Sequence, residues 1–203
     1  MAKRTKLSVE FPNIFTAALN GNLDTMKWLK KNNCPWNAVT FFCAVQNGNL
    51  DNMKWLKQEN CPWNDSTFTE AAENGNLENM KWLKENGCPW DKYTFSSATK
   101  NGNLDNIKWL KENGCPWDSF TFSQAVVNGN LDNLKWLQEN NCPWDDYTFE
   151  CAAKKGNLNN IKWLESHLVE ISYLNLPFKF YHFVKSKFEY LLPSKYQTSY
   201  LKL

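Results

Sequence analysis

Seven cysteines, two histidines, eleven tryptophans and a recurring lysine are the residues of this 203-residue chain whose types could do chemistry. Cys34, Cys61, Cys88, Cys115 and Cys142 stand 27 residues apart, each opening a Cys-Pro-Trp triplet. Equivalent atoms in stacked helical repeats lie about 8–10 Å apart. A disulfide needs Cα atoms within about 7 Å, and a zinc site needs four ligands near ~2.3 Å of one centre. Neither fits that ladder, so reduced thiols packed as small apolar groups are expected, Cys43 and Cys151 included. His167 and His182 have no recurring carboxylate or cysteine beside them. Nucleophilic catalysis needs a base held against a nucleophile and oriented by a third group, and nothing in the chain specifies one. The expectation is no enzyme, no cofactor and no metal.

The lysine column from Lys27 to Lys162 resembles a basic stripe for phosphates until its neighbours are read. Asp51–Lys54, Glu78–Lys81, Asp105–Lys108 and Asp132–Lys135 have i,i+3 spacing, and Lys81–Glu85, Lys108–Glu112 and Lys135–Glu139 have i,i+4 spacing. The stripe is zwitterionic, and such pairs contribute only about 0.2–0.5 kcal/mol each. It reads as a solvated face. The tryptophans could stack bases, but their strict period favours structural spines. With 23 basic against 21 acidic residues and a net charge of +2, no nucleic-acid partner is expected.

The period governs everything else. Trp28 to Trp163, Gly21 to Gly156, Ala17 to Ala152 and Leu23 to Leu158 each recur six times at 27 residues without a slip. About six copies cover 10–167, after an N-terminal tail, 1–9. The last copy has Val169-Glu170-Ile171 in place of Cys-Pro-Trp. In the copy at 64–90, Thr67–Asn74 reads as a short helix with Phe68, Ala71 and Ala72 on one face. Asp65, Ser66 or Thr67 is the expected cap, and Gly75 ends the helix. Asn76 caps a second helix, with Glu78 in its first turn and Leu77, Met80, Leu83 and Trp82 as its apolar face. The column Asn33, Asn60, Gly87, Gly114, Asn141 holds only the residues most at ease with a left-handed backbone. It closes the second helix, and the following Cys88 packs back on Leu83. Two helices of roughly eight to ten residues leave no room for long strands. One such pair has no core of its own, so copies must stack.

The phrase AAENGNLENMKWLKENGCPWD resembles the ankyrin repeat. Ala71, Ala72, Gly75, Leu77, Glu78, Lys81, Leu83 and Gly87 match that family's pattern. Asn76 stands for its histidine, Cys88 for its alanine, Trp90 for a small apolar residue, and Thr67-Phe68 falls where the family has Thr-Pro-Leu-His. The family period is about 33 residues, so the β-hairpin finger is shortened or absent here. The tryptophan-rich variant looks like the repeats of giant DNA viruses and some protists. The resemblance implies an all-α solenoid of stacked helix-turn-helix pairs that binds other proteins on a concave side lined by turns and first helices. The columns left free by the frame then supply the partner-binding residues: Phe42, Glu70, Lys92, Tyr93, Phe120, Gln124 and Tyr147. Exposed aromatics among mixed charges suit a protein interface.

The composition, 42% apolar, excludes disorder, and no apolar run is long enough to span a bilayer. The N-terminus has positive charges but no apolar stretch after them, so it does not read as a secretory signal. Lys3, Arg4 and Lys6 are read as an ordinary charged terminus over a nuclear address. An intracellular, cytoplasmic, monomeric protein is expected, in host cytoplasm if viral. The segment 168–203 breaks the pattern, with five lysines against one acid, Glu189, after Glu170. It is read as a cap for the stack or as a docking segment. Leu176-Pro177 faintly resembles the start of the F-box-like element of poxviral ankyrin proteins, and a basic amphipathic membrane-surface helix is a further reading. Three functions remain open: a protein-binding scaffold, which leads; a substrate receptor of a ubiquitin ligase that recruits through the tail; and a purely structural array.

Overall fold

The computed structural model describes residues 13–155 and 157–172, all of it helix, turn and loop with no strand among the described residues. The chain divides into two compact units, residues 1–89 and 90–203. The first holds α1 (Ile14–Leu19), α2 (Leu23–Lys31), α3 (Ala38–Asn47), α4 (Leu50–Gln58), α5 (Asp65–Asn74) and α6 (Leu77–Glu85). The second holds α7 (Lys92–Asn101), α8 (Leu104–Glu112), α9 (Ser119–Asn128), α10 (Leu131–Glu139), α11 (Asp146–Lys155) and α12 (Leu158–Ser172). Each unit is a stack of helix pairs. In the first, α3 packs against both α1 and α5; in the second, α9 packs between α7 and α11. The six-residue connections from each pair to the next contain no hairpin.

The local signals act as the residue types dictate. The second helices end in a left-handed residue, Asn33, Asn60, Gly87, Gly114 or Asn141. Around Gly87 the Cys88 N–H donates to the Leu83 carbonyl at 2.9 Å and the Gly87 N–H to Lys84 at 3.1 Å. That is the double closure of a Schellman motif. α12 runs on to Ser172 because Leu168 occupies this column, where a left-handed backbone is costly. The remainder of the segment 168–203, with His182 and Leu176-Pro177, lies outside the described residues.

First helices begin earlier than Thr67 suggests. Asn64 is the cap of α5, and Asp65 is its first residue. The Asn64 N–H donates to Thr67 Oγ1 at 3.3 Å, the reciprocal half of a capping box. Asn37 and Asp91 cap α3 and α7 in the same way. All of Asn64, Asp65, Ser66 and Thr67 are good caps, and burial decides among them. Thr67 is fully enclosed, so it takes the inner role and the cap falls to Asn64.

The core is a repeating set. Phe41, Phe68, Phe95 and Phe122 are fully enclosed, with the alanine column and Met53, Met80, Ile107 and Leu134 from the second helices. The tryptophans are not in it. Trp82, Trp90, Trp109 and their equivalents are half-buried, and Trp28 is 60% exposed. They form edge-to-face pairs in which Trp36, Trp63, Trp90 and Trp117 of the loops each meet the next second-helix tryptophan. Trp63–Trp82 ring centroids are 6.1 Å apart, and Trp90–Trp109 are 6.0 Å apart. Half-burial lowers the expected cost of Trp109→Ala to about 1.5–3 kcal/mol, against about 3–5 for an enclosed aromatic. Chemical denaturation checks it, and a loss above that range would mean the ring anchors the core.

A second lysine column, three residues on from the stripe, finds aromatic partners. Lys30, Lys57 and Lys111 lie over Trp36, Trp63 and Trp117 with Nζ 3.6, 3.6 and 3.5 Å from the ring centroids. Ion pairs at Lys92–Asp118 (2.9 Å) and Lys154–Glu150 (4.0 Å) lie outside the i,i+3 stripe read from the sequence. An exposed carboxylate gives a lysine little reason to hold one geometry, whereas a tryptophan face attracts it and covers its stem.

Candidate interaction surface

The chemistry of the cysteines is settled by burial. Cys61, Cys88 and Cys142 are buried, and that burial pushes each thiol up to about 12. Each S–H points at a backbone carbonyl 24 residues earlier, Cys88 Sγ lying 3.6 Å from the Asn64 oxygen and Cys61 Sγ 3.6 Å from that of Asn37. A protonated, enclosed thiol is a poor nucleophile and a poor metal ligand. All seven cysteines are free. Reductant is expected to leave the melting temperature unchanged, and these three thiols to resist a thiol reagent at pH 8 until the chain unfolds. Because their folded pKa exceeds the unfolded one of about 8.5, their contribution is whole below that pH and is lost as pH rises towards 12. A drop in melting temperature on reduction would overturn this assignment.

The frame is fastened by amides that the sequence reading missed. Asn79 Nδ2 donates to the Gly48 carbonyl and Asn133 Nδ2 to that of Gly102, both at 2.9 Å and both across to the preceding helix pair. Both asparagines are buried. Asn74 and Asn128, the last residues of their helices, clasp the preceding first helix. Asn74 Nδ2 lies 2.7 Å from the Val45 oxygen, and Asn128 Nδ2 lies 3.1 Å from that of Lys100. The signal was present as an asparagine recurring at Asn52, Asn79, Asn106, Asn133 and Asn160, with Thr25 in the first copy. A polar residue fixed on the inner edge of an amphipathic helix calls for a partner, and Asn79 and Asn133 have one, whereas the buried Asn52 and Asn160 amide nitrogens make no such bond.

The free columns divide. Tyr93, Phe120 and Tyr147 occupy the second position of α7, α9 and α11 and are exposed, at 54%, 37% and 47%. Val39 and Ser66 hold the same position in α3 and α5 and are exposed too. The aromatic stripe thus belongs to the second unit. Neighbouring members are held in step: Lys92 pairs with Asp118, and Ser123 Oγ meets Thr148 Oγ1 at 3.2 Å between α9 and α11. The Lys92 ammonium, 5.4 Å from the Tyr93 ring, is held slightly more firmly protonated by its bond to Asp118. Burial, then the Glu70 carboxylate, raises the Cys43 thiol, which places Glu70 near that half-buried group. Phe42, Glu70 and Gln124 are half-buried. The column that includes Phe42 turns inward at Ser96 and Ser123, both buried. The structure therefore brings together Lys92, Tyr93, Phe120 and Tyr147, with Gln124 one turn along α9, and leaves Phe42 and Glu70 in the other unit. Among the described residues no group of three or more His, Cys, Asp or Glu side chains is placed to hold a metal, and no helix is long and apolar enough to cross a membrane.

Comparison with known proteins gives a family match over part of the chain. A family model for ankyrin repeats, spanning three copies, matches residues 14–94. Residues 14–94 carry ankyrin repeats. The crystal structure of the human ASB11 ankyrin repeat domain superposes with a TM-score of 0.60 at 18% identity, covering 77% of this chain and 83% of that one. At that identity the likeness shows the fold. The pentatricopeptide repeat protein PPR10, solved with an 18-nt psaJ RNA element, gives a TM-score of 0.42 at 14% identity over 73% of this chain and 27% of its own. That similarity is too slight to argue from. No curated protein matches. Ankyrin repeats are protein–protein interaction modules, and that is the class of function they indicate for this chain. Among the described residues the 27-residue period has no hairpin, and Cys-Pro-Trp closes five of the six pairs.

Proposed function

We propose that the protein is a non-catalytic scaffold that binds a protein partner through the stripe formed by Tyr93, Phe120 and Tyr147. One observation carries the reading. The frame spends its aromatic residues on the phenylalanine core and the tryptophan ladder, yet three further large rings stand exposed in one free column, one on each first helix of the second unit. Exposed aromatics in a row are what interfaces use as anchors, and apolar surface left in solvent marks a binding site. The column lies outside the packing that the fold needs, so it is free to serve recognition. Ser66 in the same position of α5 shows that folding does not require a ring there.

Photo-crosslinking tests the location. A benzoyl-phenylalanine at position 120 is expected to join the protein to a discrete partner in the native cell. The same group at position 135, on the exposed lysine column, is expected to give none. Equal crosslinking from both positions, or crosslinking from 135 alone, would place the interface on another face.

A further inference from the structure

The spacing of the stripe selects the form of its partner, and this inference rests on the binding reading above. Tyr93, Phe120 and Tyr147 sit at the same position of three neighbouring helices. Helices packed side by side are about 8–10 Å apart, so the rings repeat at about that interval. A polyproline II helix has three residues per turn and rises ~3.1 Å per residue, so one face recurs every ~9.3 Å. A β-strand presents one face every ~6.6 Å. An α-helix brings a face round every ~5.4 Å and would leave alternate turns without a ring. Only the polyproline period matches the stripe ring for ring.

The surroundings fit the same occupant. Polyproline II makes no hydrogen bonds within itself, so its carbonyls need donors. Gln124, half-buried one turn beyond Phe120, and the hydroxyl of Tyr93 can supply them, while that of Tyr147 is taken by the Cys151 side chain. Asp91, Asp118 and Asp145 accept the Tyr93, Phe120 and Tyr147 backbone N–H at 2.9, 3.1 and 3.0 Å. Exposed Asp146 is beside Tyr147. Four carboxylates thus flank the rings, and the nearby ammoniums are themselves paired, Lys92 with Asp118 at 2.9 Å and Lys154 with Glu150 at 4.0 Å. Such an edge favours basic residues in the partner. We infer that the stripe docks a proline-rich, basic segment in polyproline II form, with an apolar side chain at every third residue seated between successive rings.

The probe is a fluorescein-labelled peptide of consecutive Leu-Pro-Pro triplets flanked by arginines, titrated with the full chain by anisotropy. Saturable binding is expected. It should weaken at least about tenfold in Tyr93→Ala/Phe120→Ala/Tyr147→Ala, and severalfold in Asp146→Lys, whose site is exposed and whose fold is checked by circular dichroism. Replacing the flanking arginines by glutamates should weaken it as well. Moving the leucines to every fourth residue at equal composition should abolish it. No binding, equal affinity for the respaced peptide, preference for a preformed amphipathic helix, or indifference to both variants would overturn the inference. If the peptide fails while position 120 still crosslinks a native partner, the docking reading stands and only the polyproline form falls. If both fail, the stripe is not the site.

Discussion

Asn133→Asp is expected to lower stability by about 3–5 kcal/mol at neutral pH, the cost of leaving a buried charge without a partner. Asn133 is 0% exposed, and its Nδ2 lies 2.9 Å from the Gly102 carbonyl. The carbonyl accepts only, so the amide must present its nitrogen. A carboxylate has the same shape and no donor, and it sets one acceptor against another in an enclosed site. Asn133→Ala removes the donor without adding charge, and should cost about 1–3 kcal/mol. pH separates the two variants. Burial raises the folded pKa of the introduced carboxyl above its unfolded value of about 3.9. The penalty is therefore absent below that value and grows as pH rises through the folded pKa. The aspartate variant should regain most of its stability relative to wild type near pH 4, and the alanine variant should not. Equal melting of Asn133→Asp and wild type at pH 7 would mean that the amide does not fasten the pairs.

Gly102→Val is the second large effect, about 2–4 kcal/mol. Two causes add. Gly102 has φ +90, where a β-branched residue is strained by roughly 1–3 kcal/mol. An added Cβ would also meet the Asn128 side chain, whose Cγ would be 2.8 Å away. That amide holds the Lys100 carbonyl at 3.1 Å, so moving it opens a clasp between α7 and α9. Gly114 is the internal control. Its φ is +77, but nothing lies within 4 Å of an added Cβ, so Gly114→Ala should cost only about 1 kcal/mol. Denaturant melts of the two variants check the order. Equal losses would show that backbone strain alone decides, and that Asn128 yields freely.

What the sequence disclosed and what it hid have physical causes. Helix ends were legible at Gly87 and Asn60 because few residue types accept a positive φ, so identity declares conformation. The overrun of α12 was written in Leu168, which breaks that column. The Asn64 cap was not separable from Asp65, Ser66 and Thr67, since all four can accept the same N–H and only burial chooses. The role of Asn133 was hidden because its partner is a backbone carbonyl 31 residues away, and carbonyls have no sequence signature. The tryptophans misled because a strict period reports that a position is structural and says nothing of its depth. At the surface, the column that contains Tyr93, Phe120 and Tyr147 was legible as variation within a fixed frame. Ser96 and Ser123 vary for another reason: small hydroxyls there bond to the carbonyls of Tyr93 and Ser119, at 3.0 and 3.2 Å, inside the stack.

The division between a frame that folds and a column that binds is the claim on which the functional account depends. Its most direct test is one pair of measurements on Tyr93→Ala/Phe120→Ala/Tyr147→Ala: a circular dichroism melt and quantitative capture of the main partner identified by crosslinking at position 120. The account predicts a melting curve close to wild type, because the rings are exposed at 54%, 37% and 47%, together with loss of capture by at least about tenfold. A variant that melts early would make the stripe part of the packing, and one that melts normally while capturing its partner as before would contradict the account outright.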